Sequence, residues 1–125
     1  MSGVTLDAGP MIQLDRNQRR VVALLALADE TGSPVVIPST ALAQAIRRPA
    51  RQARLARLLR QPRTEVVPLD RVDATDVGRL LATSGTSDIA DAHVVLCARR
   101  SGLTIVTSDP DDLHVLDPTA TPITI

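Results

Sequence analysis

Asp stands at the end of two apolar runs that are typical of buried β-strands. Asp7 follows residues 4–6 (VTL), and Asp109 follows residues 105–108 (IVTS). If both runs form central parallel strands, the two carboxylates emerge at the same edge of the sheet, where open α/β sheets bind their ligands. Asp is also common in turns and caps, but the same role in two strands favours a shared site.

A second pair of Asp residues lies three positions apart at the start of a predicted helix, so Asp88 and Asp91 share one side of it. Asp88 is also a natural helix cap, because a carboxylate there is stabilised by the helix dipole. Asp91 lies on the apolar face that is expected to meet the sheet, where an unpaired carboxylate is costly. Asp91 therefore binds either a metal cation or an Arg partner such as Arg16 or Arg99.

Four Asp side chains that converge at one edge would repel one another, and a divalent cation relieves that repulsion. Carboxylate oxygens are the ligands that Mg²⁺ and Mn²⁺ prefer, whereas zinc favours nitrogen and sulfur. Such a cation orients a water molecule, lowers its pKa and stabilises the leaving oxygen of a phosphodiester. The Asp pattern therefore favours metal-dependent hydrolysis.

The elements that position these residues alternate between short β-branched runs and longer stretches with helical spacing of apolar residues. The predicted strands cover residues 4–7, 35–37, 65–69 and 103–108, with a last edge strand at 122–125. The predicted helices cover residues 16–31, 50–61, 72–82 and 88–100, with a further helix from Ser39 or Thr40 to Arg48. This alternation predicts a mostly parallel sheet with helices on both faces, a three-layer α/β/α fold in one domain over residues 1–125.

The composition excludes several functional classes. The chain of 125 residues has no Lys, no Phe, Tyr or Trp, and one Cys. It therefore has no Walker A lysine or Schiff-base lysine, no aromatic platform for nucleic-acid bases, and no disulfide or cysteine-based zinc site of its own. The N-terminus lacks a signal-peptide pattern, and no apolar stretch approaches the roughly 20 residues of a membrane span. We expect a cytoplasmic protein that makes no membrane contact.

The positive charges are concentrated in the first half of the chain. Residues 1–63 contain ten Arg and four acidic residues, whereas residues 64–125 contain four Arg and ten acidic residues. The longest stretch of Arg without an acidic residue comprises Arg47, Arg48, Arg51, Arg54, Arg57, Arg60 and Arg63. Because Arg pairs with phosphate through two hydrogen bonds, this stretch binds either a nucleic-acid backbone or an acidic segment of a protein partner.

Three remaining residues with reactive side chains have structural interpretations. Cys97 falls on the apolar side of its helix and is expected in the core. His93 is expected on the solvent side of the same helix. His114 follows Asp112 near the C-terminus, and we expect it in a loop.

Four stretches occur in an order and spacing that are more specific than any of them alone. They are VTLDAG at 4–9, IPSTALAQ at 37–44, TSDIADAHVV at 86–95 and IVTSDPDDL at 105–113. Together they resemble the PIN-domain ribonucleases, and most of all the VapC-type toxins of bacterial toxin–antitoxin pairs. The resemblance covers nearly the whole chain and is consistent with its length.

The resemblance implies roles for individual residues. Asp7 matches the first metal-binding Asp of the family, and Asp91 matches the second main metal ligand at the start of the later helix. Asp109 matches the acid after the last central strand, and Asp88 and Asp112 assist through water. The resemblance further implies RNA cleavage with Mg²⁺ or Mn²⁺, a homodimer, and a cognate antitoxin that inhibits the enzyme. In that case Arg47, Arg48, Arg51 and Arg54 bind the RNA or the antitoxin.

Gln44 departs from the family pattern, which has Glu near the start of the helix after the second strand. A carboxamide oxygen binds a metal weakly, supplies no negative charge and cannot act as a base. Gln44 therefore either lines a weakened metal pocket or is a plain surface residue of its helix. In the first case the alternative function is a degenerate PIN-like module that binds RNA or a protein with little or no catalysis.

Overall fold

Five short strands form one parallel sheet. The computed structural model describes all residues from 1 to 125, and its strands are β1 Val4–Leu6, β2 Val35–Pro38, β3 Thr64–Val67, β4 Thr104–Thr107 and β5 Ile123–Thr124. Their order across the sheet is β3-β2-β1-β4-β5, and every neighbouring pair is parallel. The central strands β1, β2 and β4 are buried almost throughout, as expected for strands that are covered on both faces.

Seven α-helices complete a three-layer α/β/α fold, as the alternation of elements predicts. They are α1 Ala8–Asp15, α2 Arg19–Thr31, α3 Ser39–Ala45, α4 Ala53–Leu59, α5 Arg71–Ser84, α6 Ile89–Ser101 and α7 Pro110–Leu116, with a 3₁₀ turn at Pro49–Arg51. The central helix is α6, which packs on β1, β2 and β4 and also contacts α3, α5 and α7. None of the helices combines the length and apolar character that a membrane span requires.

The core is built without a single aromatic ring. Its fully buried large side chains include Leu6, Met11, Ile37 and Leu113, and Cys97 is buried as predicted. Fully buried Ala residues, such as Ala41 in α3 and Ala92 in α6, stand where the helices approach most closely. Branched aliphatic and small residues therefore fill the interior that aromatic side chains share in most domains of this size.

The helices α1 and α7 were not predicted from the sequence, and each carries a proline in its first turn. Gly9 and Pro10 lie in the first turn of α1, and Pro110 is the first residue of α7. A proline is tolerated in the first turn because the N–H group it lacks has no partner within the helix there. The end of α6 was predicted correctly, since Gly102 closes it in the left-handed conformation with a φ of 72°.

The predicted helix that runs to Arg48 ends instead at Ala45, because the buried side chain of Gln52 binds the backbone that follows. Its Oε1 atom accepts hydrogen bonds from the backbone N–H of Arg47 at 2.8 Å and of Arg48 at 3.1 Å. Its Nε2 atom donates to the Ala45 carbonyl oxygen at 2.8 Å. One amide group therefore fixes the shape of the loop between α3 and α4, which we call the Gln52 loop (residues 46–52).

The end of α1 also fixes the start of α4. The Asp15 Oδ1 atom accepts hydrogen bonds from the backbone N–H groups of Arg54 at 3.0 Å and Leu55 at 3.3 Å. These groups lie in the first turn of α4, where N–H groups lack partners within the helix and a negative charge is favourable. Asp15 therefore ties the start of α4, directly after the Gln52 loop, to the end of α1.

We expect Gln52→Leu to lower the free energy of unfolding by about 2 kcal/mol, because it leaves three buried or half-buried backbone groups without partners. Urea unfolding followed by far-ultraviolet circular dichroism measures this change. The matched control is Gln61→Leu, since the half-buried side chain of Gln61 makes no hydrogen bond. That control should change the free energy of unfolding by less than about 0.5 kcal/mol. An equal loss in both variants would show that the amide does not hold the loop.

Candidate active site

Asp7 occupies the junction between β1 and α1, at the carboxyl edge of the sheet, and its side chain is buried. One carboxylate oxygen, Oδ1, accepts a hydrogen bond from the Ala8 N–H at 2.8 Å. The other, Oδ2, accepts a hydrogen bond from the Thr107 hydroxyl at 2.7 Å. The Thr107 hydroxyl oxygen in turn accepts from the Asp109 N–H at 3.0 Å, so one hydroxyl connects the ends of β1 and β4.

Thr107 was missed by the sequence analysis, which treated it as one member of an apolar strand. The available signal was a hydroxyl residue two positions before Asp109 in the run 105–108. Thr107 is fully buried, so its hydroxyl needs partners, and it finds them in Asp7 and in the Asp109 backbone. Thr107 therefore positions Asp7 against the end of β4.

Asp88 and Asp91 stand at the start of α6. Asp88 is the N-cap residue, and its Oδ1 atom accepts a hydrogen bond from the Asp91 N–H at 2.9 Å. Asp91 is half-buried, and it lines a cavity of about 280 Å³ together with Asp88 and Asp112. The remaining walls of this acidic cavity are Thr86, Ser87, Val115 and Leu116. Two of its three carboxylates thus come from α6, and the third comes from α7.

No basic side chain compensates these carboxylates. The ion pairs of the protein join Arg79, Arg99 and Arg100 to Asp73, Asp76 and Asp117 only. Arg99 pairs with Asp117 at 3.3 Å, and Arg16 makes no ion pair, so neither is the partner of Asp91. The structure therefore leaves the acidic cavity without a positive charge of its own.

Burial, and after it the crowding of carboxylates, raises the pKa values of the two most enclosed members. Burial and then the charges of its neighbours raise the pKa of Asp91 to about 7. Those neighbours, in order of effect, are Asp7, Asp88, Asp112 and Asp109. Burial also raises the pKa of Asp7, although the hydrogen bonds from Thr107 and Ala8 counteract part of the rise. The fold thus holds at least five carboxyl groups within electrostatic range of one another.

The donor set fits a hard divalent cation. No three or more Asp, Glu, His or Cys side chains form a complete metal centre by themselves. Mg²⁺ in proteins is commonly bound by one or two carboxylates and completes its octahedron with water and substrate phosphates. Asp7 and Asp91 are the two most enclosed carboxyl groups of the set, and neither has a cationic partner. The site therefore matches the chemistry of Mg²⁺ or Mn²⁺ rather than that of zinc.

The other residues proposed from the sequence lie at the surface. Asp109 and Asp112 are exposed, Asp109 after β4 and Asp112 in the first turn of α7. Gln44 is exposed on α3 and lines neither the acidic cavity nor the basic cavity that contains Arg16 and Arg47. Its backbone carbonyl oxygen accepts a hydrogen bond from Arg47 Nε at 2.9 Å. The arginines Arg47, Arg48, Arg51 and Arg54 are all exposed.

A second cavity of about 280 Å³ lies beside α1, and we call it the basic cavity. Its lining consists of Gly9, Ile12, Gln13, Arg16, Arg47 and Ser108. Arg54 and Arg57 line a different cavity, of about 270 Å³, between α2 and α4. Four arginines of the first half of the chain thus line two different cavities.

The prediction that His93 faces solvent is wrong. His93 is fully buried, because α3 and α5 pack on the side of α6 that was taken to be open. Its Nδ1 atom lies 2.7 Å from the Thr40 hydroxyl, and burial lowers its pKa, which favours the neutral ring. His114 lies in α7 rather than in a loop, with Nε2 at 3.0 Å from the Ala120 carbonyl oxygen.

We expect Asp91→Asn to raise the thermal midpoint of the metal-free protein, and to raise it more at about pH 8 than at about pH 5. An unfolded Asp side chain loses its proton near pH 3.8, whereas folded Asp91 keeps its proton up to about pH 7. The stability contributed by Asp91 therefore falls as the pH rises through this interval, and the full penalty is present above it. Thermal unfolding in EDTA, followed by circular dichroism, measures the difference from wild type.

The control for this experiment is Asp111→Asn, which removes an exposed carboxylate from the same end of α7 that carries Asp112. Its effect on the thermal midpoint should be small and nearly independent of pH. A gain for Asp91→Asn of the same size at both pH values would contradict the raised pKa of Asp91.

Comparison with known proteins places this geometry in a family. A family model of the PIN domain matches residues 4–117. No curated protein sequence matches the chain. A crystal structure of VapBC2 from Rickettsia felis, bound to a DNA fragment from their promoter, is similar with a TM-score of 0.63 and 16% identity over 90% of this chain and 92% of that chain. The crystal structure of FitAcB from Neisseria gonorrhoeae is similar with a TM-score of 0.63 and 20% identity over 98% of this chain and 96% of that chain.

The two structural likenesses show a shared fold at low sequence identity. The family model covers most of the sequence, from β1 to the residue after α7, and includes every Asp of the acidic cavity. The chain therefore belongs to the PIN domain family.

Proposed function

We propose that this protein is a metal-dependent endoribonuclease and the toxin of a VapBC-type toxin–antitoxin pair. The observation that carries the proposal is the group of carboxylates around Asp7 and Asp91, which the fold holds together without any positive partner. PIN domains are generally nucleases, and the fold is shared with VapBC2 and FitAcB. A cation bound at that point would relieve the repulsion that the fold imposes on these carboxylates.

In the proposed mechanism Asp7 and Asp91 hold one Mg²⁺ or Mn²⁺ ion. When bound, the cation supplies a water of lowered pKa and stabilises the charge that develops on the leaving oxygen. The Thr107 hydroxyl donates a hydrogen bond to Asp7 Oδ2, which fixes the orientation of that carboxylate and favours its charged form. Asp88, Asp109 and Asp112 accept hydrogen bonds from water at the rim of the site and in this way assist the two ligands.

The proposed partners follow from the charge distribution and the family. RNA is the substrate, and the exposed arginines Arg47, Arg48, Arg51 and Arg54 bind its backbone. A cognate antitoxin protein inhibits the enzyme by occupying part of the same arginine surface. The protein acts in the cytoplasm as a homodimer.

Asp7→Asn and Asp91→Asn should each reduce cleavage of total RNA at least about 100-fold, since even indirect supports of a metal ligand are worth up to that much. The experiment compares the purified proteins with Mg²⁺, Mn²⁺ or EDTA and resolves the fragments by electrophoresis. Asp111→Asn keeps the fold and removes one exposed carboxylate, so it should cleave like wild type. Discrete fragments that persist in EDTA or in the Asp7 variant would exclude the proposed mechanism.

Gln44→Glu distinguishes the proposed enzyme from the alternative of a degenerate binding module. Because Gln44 is exposed and lines neither cavity, we expect the substitution to change the cleavage rate less than about threefold. The same electrophoretic assay measures it, with wild type beside it. A large gain in cleavage would show that Gln44 has weakened the metal site, and it would favour the degenerate module.

A further inference from the structure

The basic cavity has a composition that favours an anion. Of its six lining residues only Ile12 is apolar, and Arg16 and Arg47 are its two charged members. No carboxylate lines it. Two guanidinium groups that share a cavity of about 280 Å³ repel each other unless a negative group lies between them. The lining therefore has donors in excess and contains no negatively charged acceptor for them.

The carboxylate nearest to Arg16 in the sequence is already engaged. Asp15 accepts hydrogen bonds from the start of α4, at 3.0 Å from Arg54 N and 3.3 Å from Leu55 N. None of the ion pairs of the protein includes Arg16 or Arg47. Both guanidinium groups are therefore available to a ligand.

Arg47 is held in place before any ligand arrives. Its backbone N–H donates to the buried Gln52 side chain at 2.8 Å, and its Nε donates to the Gln44 carbonyl oxygen at 2.9 Å. These two bonds leave the terminal amino groups of the guanidinium without a protein partner. A side chain that is already ordered loses less conformational entropy on binding.

Two residues that line the basic cavity connect it to Asp7. Gly9 lies two positions after Asp7, and Ser108 follows Thr107, whose hydroxyl donates to Asp7 Oδ2 at 2.7 Å. A Cβ atom on Gly9 would overlap the Ser108 hydroxyl, so α1 approaches this edge as closely as glycine allows. The Ser108 hydroxyl makes no hydrogen bond within the protein and is free to donate to a ligand.

We infer that the basic cavity binds a phosphate of the substrate strand that neighbours the phosphate to be cut. Arg16 and Arg47 pair with its oxygens, and Ser108 donates a further hydrogen bond. The inference rests on the proposed function, since that function places the scissile phosphate at Asp7. A strand held at both points has a defined register, because consecutive phosphates are joined by one nucleotide. Arg47 and Arg16 therefore position the RNA rather than only attract it.

The test measures binding of a fluorescein-labelled single-stranded RNA by anisotropy in EDTA, where no metal-dependent cleavage occurs. Arg16→Gln and Arg47→Gln should each weaken binding about tenfold, as expected for loss of a charge-assisted hydrogen bond. Together the two substitutions should lower the slope of log Kd against log salt concentration by about 0.7, which corresponds to the one phosphate of a single strand that both arginines contact. Arg20→Gln is the matched control: Arg20 is exposed, carries the same charge and lines no described cavity, so its binding should stay within about twofold of wild type.

Two further variants distinguish a specific phosphate site from nonspecific electrostatic attraction of RNA. The double variant Arg16→Gln/Arg47→Gln should lose less than the product of the two single losses, because both side chains bind one phosphate. Gln52→Leu keeps the charge of the protein but releases Arg47, so it should weaken RNA binding while its unfolding curve shows that the protein is still folded. Multiplicative losses in the double variant, or equal losses in Arg20→Gln, would overturn the inference. If the wild-type protein binds no RNA at all, both the proposed function and the phosphate site are overturned. If it binds RNA but substitution of Arg16 and Arg47 does not change the affinity, only the phosphate site is overturned.

Discussion

Mutual repulsion among carboxylates at the carboxyl edge of β1 and β4 is the constraint on which the rest of the structure depends. Asp7 is held by β1 and by Thr107, and Asp91 by the first turn of α6, so neither can move away from the other. The raised pKa of Asp91, about 7, records how strongly the folded chain disfavours a further negative charge there. The buried aliphatic core beneath the edge must compensate this cost, since no ion pair does so locally.

Acidic and basic side chains in this molecule are largely segregated along the chain rather than paired with each other. Every ion pair lies within residues 73–117, where Arg79, Arg99 and Arg100 meet Asp73, Asp76 and Asp117. The arginines of residues 16–63 have no such partners. A net charge of zero therefore conceals an acidic cavity lined by Asp88, Asp91 and Asp112 and a separate basic cavity lined by Arg16 and Arg47. This arrangement suits a polyanionic ligand that is attracted at several points and acted on at one.

The architecture was predictable from the sequence because it depends on local patterns. Runs of β-branched residues, the Asp residues that end them, and Gly102 after α6 all act over a few positions, and the structure agrees with each of them. For individual side chains, what was missed depends on contacts between distant parts of the chain. Thr107 matters because it meets Asp7, and Gln52 matters because the chain folds back on Ala45. His93 was misplaced for the same reason, since helix periodicity alone does not show that α3 and α5 cover α6.

In the Gln52 loop, the course of the backbone and the charge of the exposed arginines depend on different interactions. The hydrogen bonds that set the course of residues 46–52 belong to an uncharged, buried amide, and neither protonation nor ionic strength acts on such bonds to a first approximation. The guanidinium groups that the loop carries are exposed and are screened by dissolved ions. Dissolved salt therefore weakens the attraction of these arginines for an anion, whereas the hydrogen bonds that set the positions of the arginines stay the same.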